Sequence, residues 1–173
     1  MLQPCRKDCT NGKVLGTQHS ALSMTHSHTA ITRARIIMIS RTWAGTPYHH
    51  QASTKGIGTD CLGLVRGVWR ELYGDEPAPI PGYSRDWAEA SGRETLYDAA
   101  RLHFTEIPKA DATGGDVLLF RWRANTVAKH VGILLGRPRL IHAFEGVPVT
   151  EIKMTPWWWR HAAAAFRFPG VVD

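Results

Sequence analysis

The sequence predicts an α+β domain in which helices come first and an antiparallel sheet follows. Two observations predict it. Between Ile31 and Leu72 the apolar residues recur at helical spacing, and after Gly114-Gly115 the texture turns to short apolar runs separated by turns. A third observation bounds it: 173 residues with 43% apolar and 21% charged content suit one domain with a tail.

Each element has its own signal. Residues 1–29 carry neither period and are rich in Thr, Ser, His, Gly and Gln, so they read as a disordered leader ahead of a domain over residues 30–173. Met24 opens a stretch that looks like a natural start, which makes residues 1–23 a candidate upstream extension; an intact N-terminus at Met1 in natively expressed protein would overturn this. Ile31, Ala34, Ile37, Met38 and Arg41 then fall at helical spacing, with Thr29 as candidate cap and Gly45-Thr46-Pro47 as the stop. After a polar loop, Cys61, Leu64, Val65, Val68, Trp69 and Leu72 trace one helical face, the strongest period of the chain. Thr59 or Asp60 can cap this helix and Gly74 can end it. A Pro-rich link leads to a further helix, roughly Asp86 to Leu102. "DVLLFRW", "HVGILLG", "RLIHAFE", "PVTEI" and "AAAFRF" read as strands. Trp157, Trp158 and Trp159 read as strand residues, at least one of which packs inward.

Composition excludes several function classes. The net charge is +6, but the excess sits early: residues 1–50 carry six basic residues against one acidic. No basic stripe interleaves with aromatics, so no nucleic-acid partner is expected. No run approaches the ~20 apolar residues of a membrane span, and the first residues lack the apolar stretch of a secretory signal. The expectation is a chain made in the cytoplasm without signal peptide and not inserted in a membrane. Three cysteines make no disulfide framework. Cys5 and Cys9, with His19, His26 and His28, lack the paired clusters of a structural zinc site, so neither metal nor cofactor is expected.

The chemistry converges on Cys61. A helix N-terminus offers free N–H groups and partial positive charge, which lower a thiol pKa and can hold an oxyanion. The alternative for a cysteine at a helix start is a buried structural thiol. A nucleophile needs a base, and His130 and His142, on successive strands, can serve as base and orienter. Strand parity decides whether they meet. A simple four-residue loop over 136–139 sets His142 opposite Ile133 and turns the imidazoles to opposite faces. A three-residue loop, Gly136-Arg137-Pro138, or a bulge of the same parity, sets His142 opposite Gly132 and makes His130 its diagonal neighbour. Gly132, without a side chain, then leaves room for the ring, and Gly136 can supply a positive φ. His49 and His50 read as polar residues of a loop beside the cleft.

Taken together, "GTPYHHQASTKGIGTDCLGLVRGVWREL", "GGDVLLF", "KHVGILLG" and "LIHAFEG" resemble the NlpC-type cell-wall peptidases, papain-like cysteine peptidases of bacteria and phages. The likeness spans about Ile31 to Phe168, and its first segment is most similar to the tail-associated peptidases of phages and gene transfer agents. It implies a papain-like NlpC-type fold, with N-terminal helices carrying the nucleophile packed on an antiparallel sheet. It implies Cys61 as nucleophile, His130 as general base and His142 as its orienter, with Tyr48 and Asp60 on the substrate side of the nucleophile. The implied substrates are peptidoglycan stem peptides, cut between D-glutamate and diaminopimelate or lysine, with no cofactor. Because no wall-binding repeat is visible, the implied partners are phage-like tail or baseplate proteins that carry the enzyme to the wall. The tryptophan trio then reads as packing or tail contact rather than as a sugar platform. The chain departs from the family at Leu62, where Ser is usual. Two other readings stand beside this one: a Cys–His amidase that cuts the muramoyl–alanine or cross-bridge bond, and a catalytically inactive structural tail protein.

Overall fold

The computed structural model describes residues 30–80, 82–83 and 92–173. The leader, with the expectations for Met24 and for the Cys5–Cys9 cluster, lies outside the described residues, as does the first part of the helix expected from Asp86.

β1 (Ile31–Thr32) runs directly into α1 (Arg33–Arg41). The cap is Thr32 rather than Thr29; its hydroxyl accepts the Arg35 N–H at 3.2 Å. The buried face also differs from the expected one. Ile36, Ile39 and Ser40 are buried while Met38 is exposed. Apolar residues stand in unbroken succession from Ile36 to Ile39, so the period is uninformative there, and Trp43, buried just past the helix, selects the face. A small hairpin of β2 (Ser53–Thr54) and β3 (Gly58–Thr59) precedes α2 (Cys61–Tyr73). α2 buries the predicted stripe: Leu64, Val65, Val68, Trp69 and Leu72. Gly63 and Gly67, one turn apart, let neighbours touch the helix itself. A Cβ at Gly67 would lie 2.0 Å from the Trp43 ring, and one at Gly63 1.9 Å from the Ala52 carbonyl oxygen.

α3 (Thr95–His103) leads into β4 (Thr105–Ile107), a strand the sequence did not announce. β5 (Val117–Phe120), β6 (His130–Gly136), β7 (Arg139–Phe144), β8 (Val147–Lys153) and β9 (Ala162–Arg167) follow at the predicted places. They form one six-stranded sheet in the order β4-β9-β5-β6-β7-β8, with every neighbouring pair antiparallel. The fold is α+β, as the sequence predicts. The tryptophan trio is a correction: Trp157, Trp158 and Trp159 lie in α4 (Pro156–His161), a short helix with proline at its start, and not in a strand.

Strand alternation gives the sheet two apolar faces. Val117, Leu119, Val131, Ile133 and Ile141 face α1 and α2, while Leu118, Phe120, Leu134 and Leu140 pack on the other side with Trp158 and Trp159. Each such buried aliphatic side chain contributes about 1.5–3 kcal/mol relative to exposure. Parity puts His130 and His142 on the second face, with Phe120 and Leu134. At the far side β10 (Val171–Val172) lies parallel to β1. Beside this pair the fully buried Asp116 accepts from Arg33 at 3.0 Å and from Arg167 at 3.1 Å, and Arg33 also reaches Asp173 at 2.5 Å. Among the described residues no helix is long and apolar enough to cross a membrane.

Candidate active site

Asp60 fixes the start of α2. Its Oδ1 accepts the Gly63 N–H at 2.7 Å, which caps the helix. Its Oδ2 accepts the Gln51 N–H at 2.7 Å and the Tyr83 hydroxyl at 2.6 Å. Gln51 holds φ at 64°, a left-handed conformation that costs a non-glycine residue about 1–3 kcal/mol, and the bond to Asp60 helps hold it there. Asp60 therefore holds α2 with one oxygen and the Gln51 and Tyr83 segments beside Cys61 with the other. Tyr48 sits in the same frame through a backbone bridge to Thr59.

Cys61 is the first residue of α2 and is partly exposed. Burial of the sulfur pushes its thiol up to about 12, and the charge of Asp60 adds to the rise. Backbone N–H groups of Val131, Leu62 and Cys61 itself pull the other way. The direction is opposite to the one expected from a helix N-terminus, because loss of water outweighs the field of the helix end. The histidines shift the other way for the same reason. Burial brings His130 down to about 3, with the neighbouring His142 adding to the fall, and burial brings His142 down to about 4. Burial thus favours the neutral form of all three groups.

The two rings meet as strand parity requires. Ile133 pairs with Ile141 and Leu134 with Leu140, a register that sets Gly132 across from His142. The parity comes by the bulge rather than by the three-residue loop. Gly136 pairs with Arg139 around a two-residue turn, and the register shifts between Leu134 and Gly136. Gly136 supplies the positive φ, at 107°. His130 Nε2 lies 2.9 Å from His142 Nδ1. That bond occupies Nε2 and leaves Nδ1 of His130 as the nitrogen available to a thiol. The role expected for Gly132 needs correction: a Cβ there would meet the Leu140 methyl groups at 3.0 and 3.1 Å, so the missing side chain admits Leu140 and not the His142 ring.

Cys61 and His130 line one cleft of about 810 Å³, counting the solvent at its mouth. Tyr48, His50, Asp60 and Tyr83 line it too, and Trp122, Lys129, Phe144 and Glu145 lie along it with His130. His142 stands behind His130, almost fully buried. The Val131 N–H beside the sulfur ties the start of α2 to the start of β6, the strand that His130 opens. His50 is a loop residue of this cleft; its Nε2 lies 2.9 Å from the Tyr83 carbonyl oxygen, while His49 is exposed. Leu62 separates the cleft from an apolar cavity of about 600 Å³ that Val65, Trp69 and Phe104 help to line.

The sequence missed Tyr83 and Trp122. Nothing in the Pro-rich link marks Tyr83. Trp122 had a signal, since it follows Phe120 at period two and so continues the face that carries His130. Among the described residues no group of three or more His, Cys, Asp or Glu is placed to hold a metal.

Comparison with known proteins agrees with this geometry. A model of the NlpC/P60 family matches residues 45–167. Murein DD-endopeptidase MepS/Murein LD-carboxypeptidase of Escherichia coli strain K12 is 27% identical over 128 residues, 74% of this chain and 58% of that protein. Murein DD-endopeptidase MepH of the same strain is 30% identical over 129 residues, 71% of this chain and 41% of that protein. The chain thus spans roughly half the length of these relatives. Among solved structures, the NlpC/p60 domain of the peptidoglycan hydrolase SagA is 26% identical with a TM-score of 0.54, covering 80% of this chain and 100% of that one. An NlpC/P60 family protein from Bacillus cereus shares the fold with a TM-score of 0.58 at 20% identity, over 81% of this chain and 41% of that one.

Proposed function

Because the chain belongs to the NlpC/P60 family, we propose that it is a peptidoglycan hydrolase, a cysteine endopeptidase that cuts amide bonds of stem peptides. The bond between D-glutamate and diaminopimelate is the first candidate. One observation carries the reading: Cys61 at the N-terminus of α2 shares a cleft with His130, whose Nε2 is 2.9 Å from His142 Nδ1.

The geometry supports a two-step acyl transfer that starts from neutral groups. His130 takes the Cys61 proton on Nδ1 as the sulfur attacks the amide carbon, and a C–S bond forms. N–H groups at the start of α2 hold the oxyanion. The C–N bond then breaks, and His130 returns the proton to the leaving amine. Water, losing a proton to His130, attacks the thioester; the acid is released and the thiol is restored. His142 keeps the His130 ring in one orientation throughout.

The similarity of the Cys61 segment to tail-associated peptidases supports delivery to the wall by a phage-like tail particle, from a chain made in the cytoplasm. Proteomics of purified particles checks this; absence of the protein from intact tails would overturn it. A second reading of the bond rests on the two relatives, which are DD-endopeptidases by name and so favour a cross-bridge. Mass spectrometry of digested sacculi separates the readings. Stem peptides that end in a new D-glutamate carboxyl support the first, and cross-linked dimers resolved to monomers with intact stems support the second. Folded protein that releases no peptide at all would overturn both.

A further inference from the structure

Among the described residues the histidine pair has no carboxylate partner of the kind a charged imidazole usually has: none lies within ion-pair distance of His130 or His142. Yet His130 must hold a full positive charge each time it takes the Cys61 proton. The bond to His142 spreads part of that charge. Aromatic rings also surround it.

Trp122 lies nearly parallel to the His130 ring, with centroids 5.4 Å apart and planes at 29°. Phe144 stands edge-on to both, 5.7 Å from His130 and 6.3 Å from Trp122. Trp158 stands at 88° to His142, 5.2 Å away. Trp122 is itself held in a run of stacked rings. Trp157 lies 5.8 Å from it at 21°, and His161 lies 4.0 Å from Trp157 at 27°. Trp157 is thus engaged in this run, and α4 serves to brace Trp122 from the surface side.

We propose that Trp122 is a positioning residue whose π face stabilises the charged form of His130. The inference rests on the reading of His130 as the base of Cys61. A cation over an indole face is attracted by the ring quadrupole, more strongly where water is excluded, and tryptophan is the best of the aromatic side chains at this. The neutral imidazole gains much less, so the effect falls on the step in which His130 is charged. It should therefore appear in kcat and leave KM alone.

The test replaces Trp122 by its mono-, di- and tetrafluorinated analogues through site-specific incorporation. Fluorine drains the π face while the ring keeps its shape. Peptide release from sacculi should show kcat falling stepwise with fluorination, roughly tenfold at the tetrafluoro ring, with KM unchanged. Trp122→Phe should fall between the native and the tetrafluoro protein, and Trp122→Leu at or below the latter. The rate at which iodoacetamide alkylates Cys61 should fall in the same order, because the thiolate forms only when His130 accepts its proton. A flat fluorination series, or one that moves KM and not kcat, overturns the proposal. Native protein that releases nothing from sacculi would sink the proposed function, while the alkylation series would still decide the role of Trp122.

Discussion

At Cys61 two fields oppose each other, and their balance sets how the site rests. The helix end and three N–H groups favour a thiolate, while burial and Asp60 favour the thiol, and the second pair wins. In the proposed reaction the thiolate is therefore made as His130 takes the proton, and is not held ready. Cys61→Ala should abolish peptide release and leave the circular dichroism spectrum and melting temperature close to native, since the change removes a single sulfur at the edge of the core, beside the cleft. More than a trace of remaining activity would remove Cys61 from its role. His130→Ala should lower kcat by the ~10²–10⁴-fold of a lost general base, about 3–5 kcal/mol of transition-state stabilisation. His142→Ala should cost less, because water can replace part of an orienting bond; if steady-state kinetics show it as inactive as His130→Ala, the two rings share one role. All these residues were legible as residue types at workable spacings, and the parity of one hairpin sufficed to place both imidazoles together. Tyr83 was not legible as a site residue, because only the folded chain brings it beside Asp60 and Cys61, whereas Trp122 was marked by its period-two spacing from Phe120.

Among the elements, α2 is the one on which the site depends most. Its sequence shows a clean apolar face, but its two glycines weaken the helix and are explained only by what they admit. Gly67→Ala should push against Trp43 and destabilise the protein by about 1–3 kcal/mol, seen as a lower urea midpoint with an unchanged m-value. A midpoint equal to that of the native protein would show that Trp43 can move aside. The same physical distinction explains what could be read elsewhere. β5 to β9 carry four or more residues with an apolar face, so their patterns stand out. β4 is three residues long with its first two exposed, and β1, β2, β3 and β10 have two residues each, so no period exists to detect. Three consecutive tryptophans fit strand and helix alike; Pro156 at the first helical position was the deciding signal for α4.

For the molecule as a whole, the buried histidines tie stability to acidity. Both have folded pKa values below the ordinary value of 6.5, so the unfolded chain binds more protons as pH falls. Their contribution is complete above about pH 6.5 and is lost progressively toward pH 3 to 4. Glu76 and Glu151, held below the usual carboxylate range by Arg66 and Arg139, begin to lose their contribution only as pH falls below the ordinary carboxylate value of 4.5. The melting temperature should therefore fall between pH 7 and 5, and the double variant His130→Gln, His142→Gln should lose most of that slope; an equal slope in both proteins would assign it to other groups. The parallel pairing of β1 with β10 has a separate, mechanical consequence. Tension applied across Ile31 and Asp173 drags these two strands lengthwise in opposite directions. Their backbone bonds, and the grip of Arg33 on Asp116 and Asp173, then bear the load together and not one after another. A domain pulled in this way yields by shear, at higher force than one whose end strands peel apart, so the ends of the domain act as a latch for the sheet that carries the cleft.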